Sequence, residues 1–281
     1  MTERYVEAPD GLRLHVVVRG EPTDRPPVLC LPGLTHNERA FEDVAPRLAT
    51  GRMVAAMSFR GRGRSGRDPT GASYALDAYV GDALAVVDAL GWGAAVWLGT
   101  SLGGLTALWA NWRAPERVAA IVLNDVGVAL QREGLERIGA YARIVDPVTS
   151  WAAAAGRAKE IGDVVFPDFG PDDWMRVARQ RWIETDGGIA PDYDPAIVPG
   201  RLPDDDPVLV FTAAAAKPVL LVRGALTDLL APETVALMRS LAPGMRSVEV
   251  PNRGHAPTLT ESVAAAALDE FLAAVPEGAL E

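Results

Sequence analysis

The sequence predicts an α/β protein built on a mostly parallel, doubly wound sheet, and three observations predict it. Short apolar runs at residues 27–31, 53–59, 94–98 and 118–123 each stop abruptly in a polar or glycine-rich turn, as strands buried on both faces do. Helical patterns lie between them. Residues 74–90 place Leu76, Tyr79, Val80, Ala83, Leu84, Val87 and Leu90 on one helical face, closed by Gly91. The alternation then breaks after residue 126 and resumes at residue 218. Such a pattern predicts one α/β domain carrying an insertion.

Taken in order, residues 5–18 form two short β-like runs around Asp10-Gly11, a two-residue hairpin signal. An antiparallel hairpin at a sheet edge is expected there, with His15 on the face opposite Leu12 and Leu14. The strand at 27–31 ends at Pro32-Gly33. A polar loop with Thr35, His36, Asn37 and Glu38 follows, then a short helix through Phe41, Val44 and Leu48. The strand at 53–59 runs into Arg60-Gly61-Arg62-Gly63-Arg64-Ser65-Gly66, and the strand at 118–123 ends at Asn124-Asp125. Residues 127–212 carry helical stretches without a convincing interior strand. They are rich in tryptophan and proline, including Trp151, Trp174, Trp182, Pro147 and Pro199. They read as a helical lid inserted after the sixth strand, over a core formed by residues 1–126 and 213–281. Strand, helix, strand and helix follow at 218–222, 232–241, 247–250 and 258–274.

Bulk properties narrow the function. With 281 residues, 49% of them hydrophobic and 23% charged, the chain can bury a large core, and disorder is not expected. Acidic residues outnumber basic ones, 37 to 27. No basic face emerges, so nucleic acid and anionic membranes are not expected partners. The single cysteine, Cys30, lies in an apolar run and has no partner for an internal disulfide. No Cys/His cluster suggests a metal, and no cofactor motif is visible. The N-terminus has no apolar signal region and no run is long enough to span a membrane, so a cytoplasmic location is expected. A homodimer is compatible with this reading.

The chemistry centres on Gly99-Thr100-Ser101-Leu102-Gly103. An apolar strand precedes this G-x-S-x-G and a helical pattern (Leu102, Leu105, Leu108, Trp109, Trp112) begins at once. That context turns a common glycine-rich turn into a candidate nucleophile elbow. Serine at the tip of such a turn is held clear of the backbone, beside a helix N-terminus that favours developing negative charge.

A serine nucleophile needs a base, and a third group to orient that base. Only three histidines exist. His15 is expected far from any strand C-terminus, and His36 lies in the loop whose backbone should face an oxyanion. His255 directly follows the last strand, so it is the expected base. Two aspartates also follow strands. Asp228, after the 218–222 strand, is preferred because the Gly224-Ala225-Leu226-Thr227 loop gives it room to reach across. Asp125 is the competitor, set aside because the chain enters the insertion immediately after it.

The order Ser101, Asp228, His255 and four sequence blocks together resemble the α/β-hydrolase superfamily over residues 1–275. The blocks are Leu31-Pro32-Gly33-Leu34, Arg60-Gly61-Arg62-Gly63-Arg64-Ser65, Gly99-Thr100-Ser101-Leu102-Gly103-Gly104, and Gly254-His255 with Gly224-Ala225-Leu226-Thr227-Asp228. The resemblance implies a helical lid and an oxyanion hole of two backbone N–H groups, those of Leu34 and Leu102. Proline stands at position 32, where the family often has histidine. Ser58 replaces the usual aspartate before the arginine-rich turn, which reads as structural, its arginines solvated or paired to nearby acids. Serine at the elbow excludes the alkyl-enzyme chemistry of relatives with aspartate there.

The expected activity is therefore a serine hydrolase of small to medium carboxylic esters or lactones, without a metal or other cofactor. Each oxyanion donor would be worth roughly 2.7–4 kcal/mol. The alternatives are hydrolysis of carbon–carbon bonds in ring-fission diketone acids, perhydrolase chemistry, or a slow or non-enzymatic receptor on the same scaffold. His36, Trp151, Phe166, Trp174 and Trp182 are candidate pocket residues, although cap tryptophans more often form the cap's own core. Phe169 is a further aromatic candidate. Arg143, Arg179 and Arg181 are candidates to hold a substrate carboxylate.

Overall fold

Four strands carry the molecule's interior: β3 (Val28–Leu31), β4 (Val54–Met57), β5 (Ala95–Thr100) and β6 (Val118–Asn124), every residue of β3 and β4 being buried. Their side chains alternate between two cores. Leu29, Leu31, Ala95 and Trp97 enter one, and Val28, Cys30, Val96 and Leu98 enter the other. Both sheet faces are thus covered, which is why these strands read as continuous apolar runs. The computed structural model describes residues 1–197 and 203–277. Residues 198–202, Pro199 among them, and 278–281 lie outside the described residues.

The chain opens with β1 (Thr2–Glu7) and β2 (Arg13–Arg19), paired antiparallel around Asp10-Gly11. A short α1 (Ala45–Leu48) precedes β4, α2 (Leu76–Ala89) precedes β5, and α3 (Leu102–Arg113) follows β5. Beyond β6 come α4 (Arg132–Tyr141), α5 (Trp151–Gly162), α6 (Pro171–Arg181), β7 (Trp182–Thr185), β8 (Gly188–Pro191) and α7 (Pro207–Ala214). The fold closes with β9 (Val219–Gly224), α8 (Pro232–Leu241), β10 (Arg246–Val250) and α9 (Ser262–Ala274).

Eight strands form one sheet in the order β1-β2-β4-β3-β5-β6-β9-β10, antiparallel only at β1–β2 and β2–β4. This is the expected mostly parallel, doubly wound sheet. Strand β5 is central, and β6, β9 and β10 succeed one another on one side of it. Their C-terminal ends therefore deliver residues to one neighbourhood, the usual ligand site of such sheets. The registers Thr100↔Asn124 and Asn124↔Val222 align these ends.

Three details differ from the sequence reading. His15 lies in β2, inside the edge formed by β1, and is fully buried. The insertion contains a hairpin, β7–β8, turning on Asp186-Gly187; an Asp-Gly pair between short runs is a hairpin signal in its own right. Helix α7 places Val210, Phe211 and Ala214 in the sheet's core, whereas α5, α6 and the hairpin form a separate cluster around Trp174 and Trp182. An insertion boundary at residue 212 cuts through α7, whose apolar face belongs to the sheet. Among the described residues, no helix is long and apolar enough to cross a membrane.

Candidate active site

Ser101 sits between β5 and α3 with φ 52° and ψ −115°, a conformation that costs a non-glycine residue on the order of 1–3 kcal/mol. The packing around it enforces that turn. A Cβ on Gly103 would stand 2.1 Å from the Leu31 carbonyl oxygen, and one on Gly99 would stand 2.2 Å from the Gly103 backbone. Helix α3 can therefore start directly under β3 only with glycine at these two positions.

His255 lies in the loop after β10, and its Nε2 is 2.9 Å from Ser101 Oγ. Its Nδ1 is 2.8 Å from Oδ2 of Asp125, the first residue beyond β6. Asp125 is wholly buried. Its Oδ1 accepts the Gly224 N–H at 2.8 Å, and its Oδ2 also accepts the Thr227 hydroxyl at 2.6 Å. Asn124 steadies the histidine loop, donating from Nδ2 to the Pro257 carbonyl at 2.9 Å. Hydroxyl, imidazole and carboxylate thus form one continuous line. Such a line can activate an alcohol as a nucleophile.

The preference for Asp228 as the carboxylate on His255 is corrected by this geometry. Asp228 accepts two hydrogen bonds from Arg137 of α4, from Nε at 2.5 Å and Nη2 at 2.8 Å. The guanidinium beside it holds its carboxyl below the usual carboxylate range. The loop expected to carry Asp228 across instead holds Asp125, through Gly224 and Thr227.

A cavity of about 320 Å³ opens above Ser101 and His255. Its floor includes Gly33 and Leu34, and its roof includes Ile138 and Tyr141 of α4, Phe166, and Val177 and Arg181 of α6. That volume suits a small organic ligand. Neither the Leu34 nor the Leu102 N–H donates to another main-chain carbonyl among the described residues. Leu102 also opens α3, where helix amides have no intrahelical acceptor.

Comparison with known proteins decides the family. Residues 26–262 match the profile of the α/β hydrolase fold family. The chain is an α/β hydrolase. It is 33% identical to a 3-hydroxybutyrate-oligomer hydrolase of Cupriavidus necator over 90% of each chain. It is 28% identical to a 2-(acetamidomethylene)succinate hydrolase of Mesorhizobium japonicum, over 82% of this chain and 81% of that one. An α/β hydrolase from Novosphingobium aromaticivorans superimposes with a TM-score of 0.91 at 40% identity, covering 97% of this chain and 98% of that one.

Within this hydrolase, His36 and Phe166 line the cavity, as does Phe169. Burial first, and then the charges of Arg181 and His255, push the His36 imidazole well below its ordinary value, so it stays neutral. The three tryptophans expected at the pocket do not line it. Trp174 and Trp182 are buried in the cap's core, where bulky aromatic surface is best removed from water. Trp151 donates to Glu184 at 2.8 Å and lies beneath Arg179, 3.7 Å from its guanidinium carbon. Of the three arginines considered, only Arg181 reaches the cavity.

Several cavity residues were not singled out from sequence: Arg137, Ile138 and Tyr141 on α4, and Arg176, Val177 and Gln180 on α6. A signal existed for α6, since Val177, Gln180 and Arg181 fall at i, i+3 and i+4 on one helical face. In the arginine-rich turn, Arg60 and Arg64 are paired to acids, as one of the two expected states has it. Arg60 is buried between Asp82 and Asp10. Arg62 is buried and, among the described residues, has no acidic partner; it donates instead to the carbonyls of Leu34 and Arg60 and to the Tyr79 hydroxyl. Among the described residues, no group of three or more His, Cys, Asp or Glu side chains is placed to hold a metal.

Proposed function

We propose that this hydrolase cleaves carboxylic esters or lactones through an acyl-enzyme on Ser101. The observation that carries the proposal is the unbroken line from Ser101 Oγ through His255 to Asp125. Ser101 Oγ bonds to the carbonyl carbon while its proton passes to His255 Nε2. The carbonyl π pair moves to oxygen, where the Leu34 and Leu102 N–H groups receive it. Asp125 holds Nδ1–H and stabilises the imidazolium. Collapse breaks the carbon–oxygen ester bond, and the leaving alcohol takes the proton from Nε2. Water then attacks the acyl-enzyme, giving its proton to Nε2, and Ser101 regains a proton as the acid departs.

The activity named for the C. necator relative, on 3-hydroxybutyrate oligomers, is an ester hydrolysis and supports this class. A fluorophosphonate tests the reading: it should add its mass to Ser101 alone. Ser101→Ala should lower kcat on p-nitrophenyl butyrate by roughly 10⁴-fold or more. Turnover at the parent rate in Ser101→Ala would overturn it.

A further inference from the structure

Four arginines line the cavity, and three of them are neutralised there. Arg137 is paired with Asp228, Arg176 with Asp173 and Asp43, and Arg253 with Asp168 and Glu261. Arg181, the last residue of α6, is the fourth. Among the described residues, no carboxylate lies within ion-pair distance of it, and its side chain donates no hydrogen bond. Tyr141, Tyr193 and His36 are titratable neighbours that feel its charge, and burial draws the guanidinium below its ordinary value. Burial also pushes the Tyr193 phenol up to about 12, so that ring stays neutral and supplies no counter-charge.

A half-buried cation in a cavity without a counter-ion is costly, and proteins rarely retain one without a use. This one faces the site that holds Ser101 and His255, and also lines a small recess bounded by Thr35, Tyr141 and Trp182. His36, nearby, is held neutral and adds no second positive charge. One unbalanced positive charge matches one negative charge. A planar guanidinium fork fits a carboxylate through two parallel hydrogen bonds. A phosphate monoester, carrying nearly two charges at neutral pH, would leave one unbalanced.

We propose that Arg181 binds a free carboxylate of the substrate, so that the substrates are esters carrying such a group, as when the hydroxyl of one hydroxy acid is acylated by another acid. The assignment rests on the serine-ester reading above. It makes Arg181 a substrate-binding residue that selects anionic esters over neutral ones in a chain whose net charge is −10. The carboxylate takes the place of water on the guanidinium, while the remaining apolar part of the substrate fills the space beside Ile138, Phe166 and Val177.

The test compares 3-(butanoyloxy)butanoate with its methyl ester. In the parent enzyme, kcat/KM should favour the free carboxylate at least about tenfold, the value of one charge-assisted hydrogen-bond pair. Arg181→Met should bring that ratio to about one or below, mainly through KM, and Arg181→Lys should keep part of it. A parent enzyme that prefers the methyl ester, or a ratio that Arg181→Met leaves in place, would overturn the proposal. Turnover of neither ester while a fluorophosphonate still labels Ser101 would overturn the substrate class and leave the serine reading intact. Absence of labelling would sink the serine reading instead. Arg181 is then judged by calorimetry with butanoate, whose binding must occur in the parent chain and weaken about tenfold or more in Arg181→Met; no binding, or equal binding, overturns the proposal.

Discussion

Asp125 Oδ2 stands 2.8 Å from His255 Nδ1, while Asp228, in the loop expected to supply that carboxylate, is held by Arg137. The two aspartates therefore separate cleanly in a mutational test. Asp125→Asn should lower kcat by about 10⁴-fold, because an amide favours the wrong imidazole tautomer. Asp228→Asn should cost far less, under about tenfold, and should act mainly on stability by depriving Arg137 of its partner. Steady-state kinetics on p-nitrophenyl butyrate, with urea midpoints for both variants, checks this. Equal losses of kcat would contradict the assignment.

The sheet and two of the three aligned groups were legible in the sequence because local signals decide them. Strands such as β3 and β5 are buried on both faces and bounded by breakers. The glycines flanking Ser101 report backbone clashes that any side chain would meet. His255 was reached from a choice of three histidines. The carboxylate was not legible, because Asp125 and Asp228 both follow strands, β6 and β9, that are neighbours in the sheet. What separates them is tertiary: Thr227 turns toward Asp125, and Arg137 of the insertion captures Asp228. The cap tryptophans illustrate the same limit. Their size marks a core, but only packing reveals that Trp174 and Trp182 fill the cap rather than the cavity.

Glycine substitutions give a graded test of the elbow. Gly103→Ala should lose about 3 kcal/mol or more, since the added methyl would meet the Leu31 backbone at 2.1 Å and strands do not yield easily. Gly156→Ala, on the exposed side of α5 with nothing within 4 Å of the new methyl, should gain up to about 1 kcal/mol from helix propensity. Urea denaturation of the two variants beside the parent measures both. A Gly103→Ala protein as stable as the parent would show that the α3–β3 contact is looser than the packing here.

Stability should fall with acid through His36. Its folded value is depressed well below 6.5, chiefly by burial. Between the folded and unfolded values, the unfolded chain binds a proton that the folded chain refuses. The contribution is therefore fully present above about pH 6.5 and lost as pH falls below it, by at most about 1.4 kcal/mol per pH unit. His36→Gln removes this slope. Urea midpoints at pH 7.5 and 5.5 should differ more for the parent than for His36→Gln, and parallel changes would exclude His36 as the source.

Arg62 should matter to the reaction although it touches no reacting atom. Its Nε donates to the Leu34 carbonyl at 2.8 Å, and its Nη1 holds the Arg60 carbonyl at 2.7 Å and the Tyr79 hydroxyl at 2.8 Å. The guanidinium also lies over the Tyr79 ring at 4.9 Å. The bond to the Leu34 carbonyl fixes the Leu34–Thr35 peptide, and through the shared Leu34 Cα it limits the rotation of the Gly33–Leu34 peptide that carries the proposed N–H donor. Lysine offers one compact ammonium in place of the fork and cannot hold all three acceptors in the same geometry. Arg62→Lys should therefore lower kcat by about 10–100-fold with KM changed little, as loss of a transition-state contact does. It should also lower stability by about 1–3 kcal/mol, through carbonyls left without donors. A positioning role requires the kcat loss to persist well below the melting temperature, where the folded fraction is complete. If kcat at 15 °C matched the parent while Tm alone fell, Arg62 would support the fold without orienting the Leu34 amide.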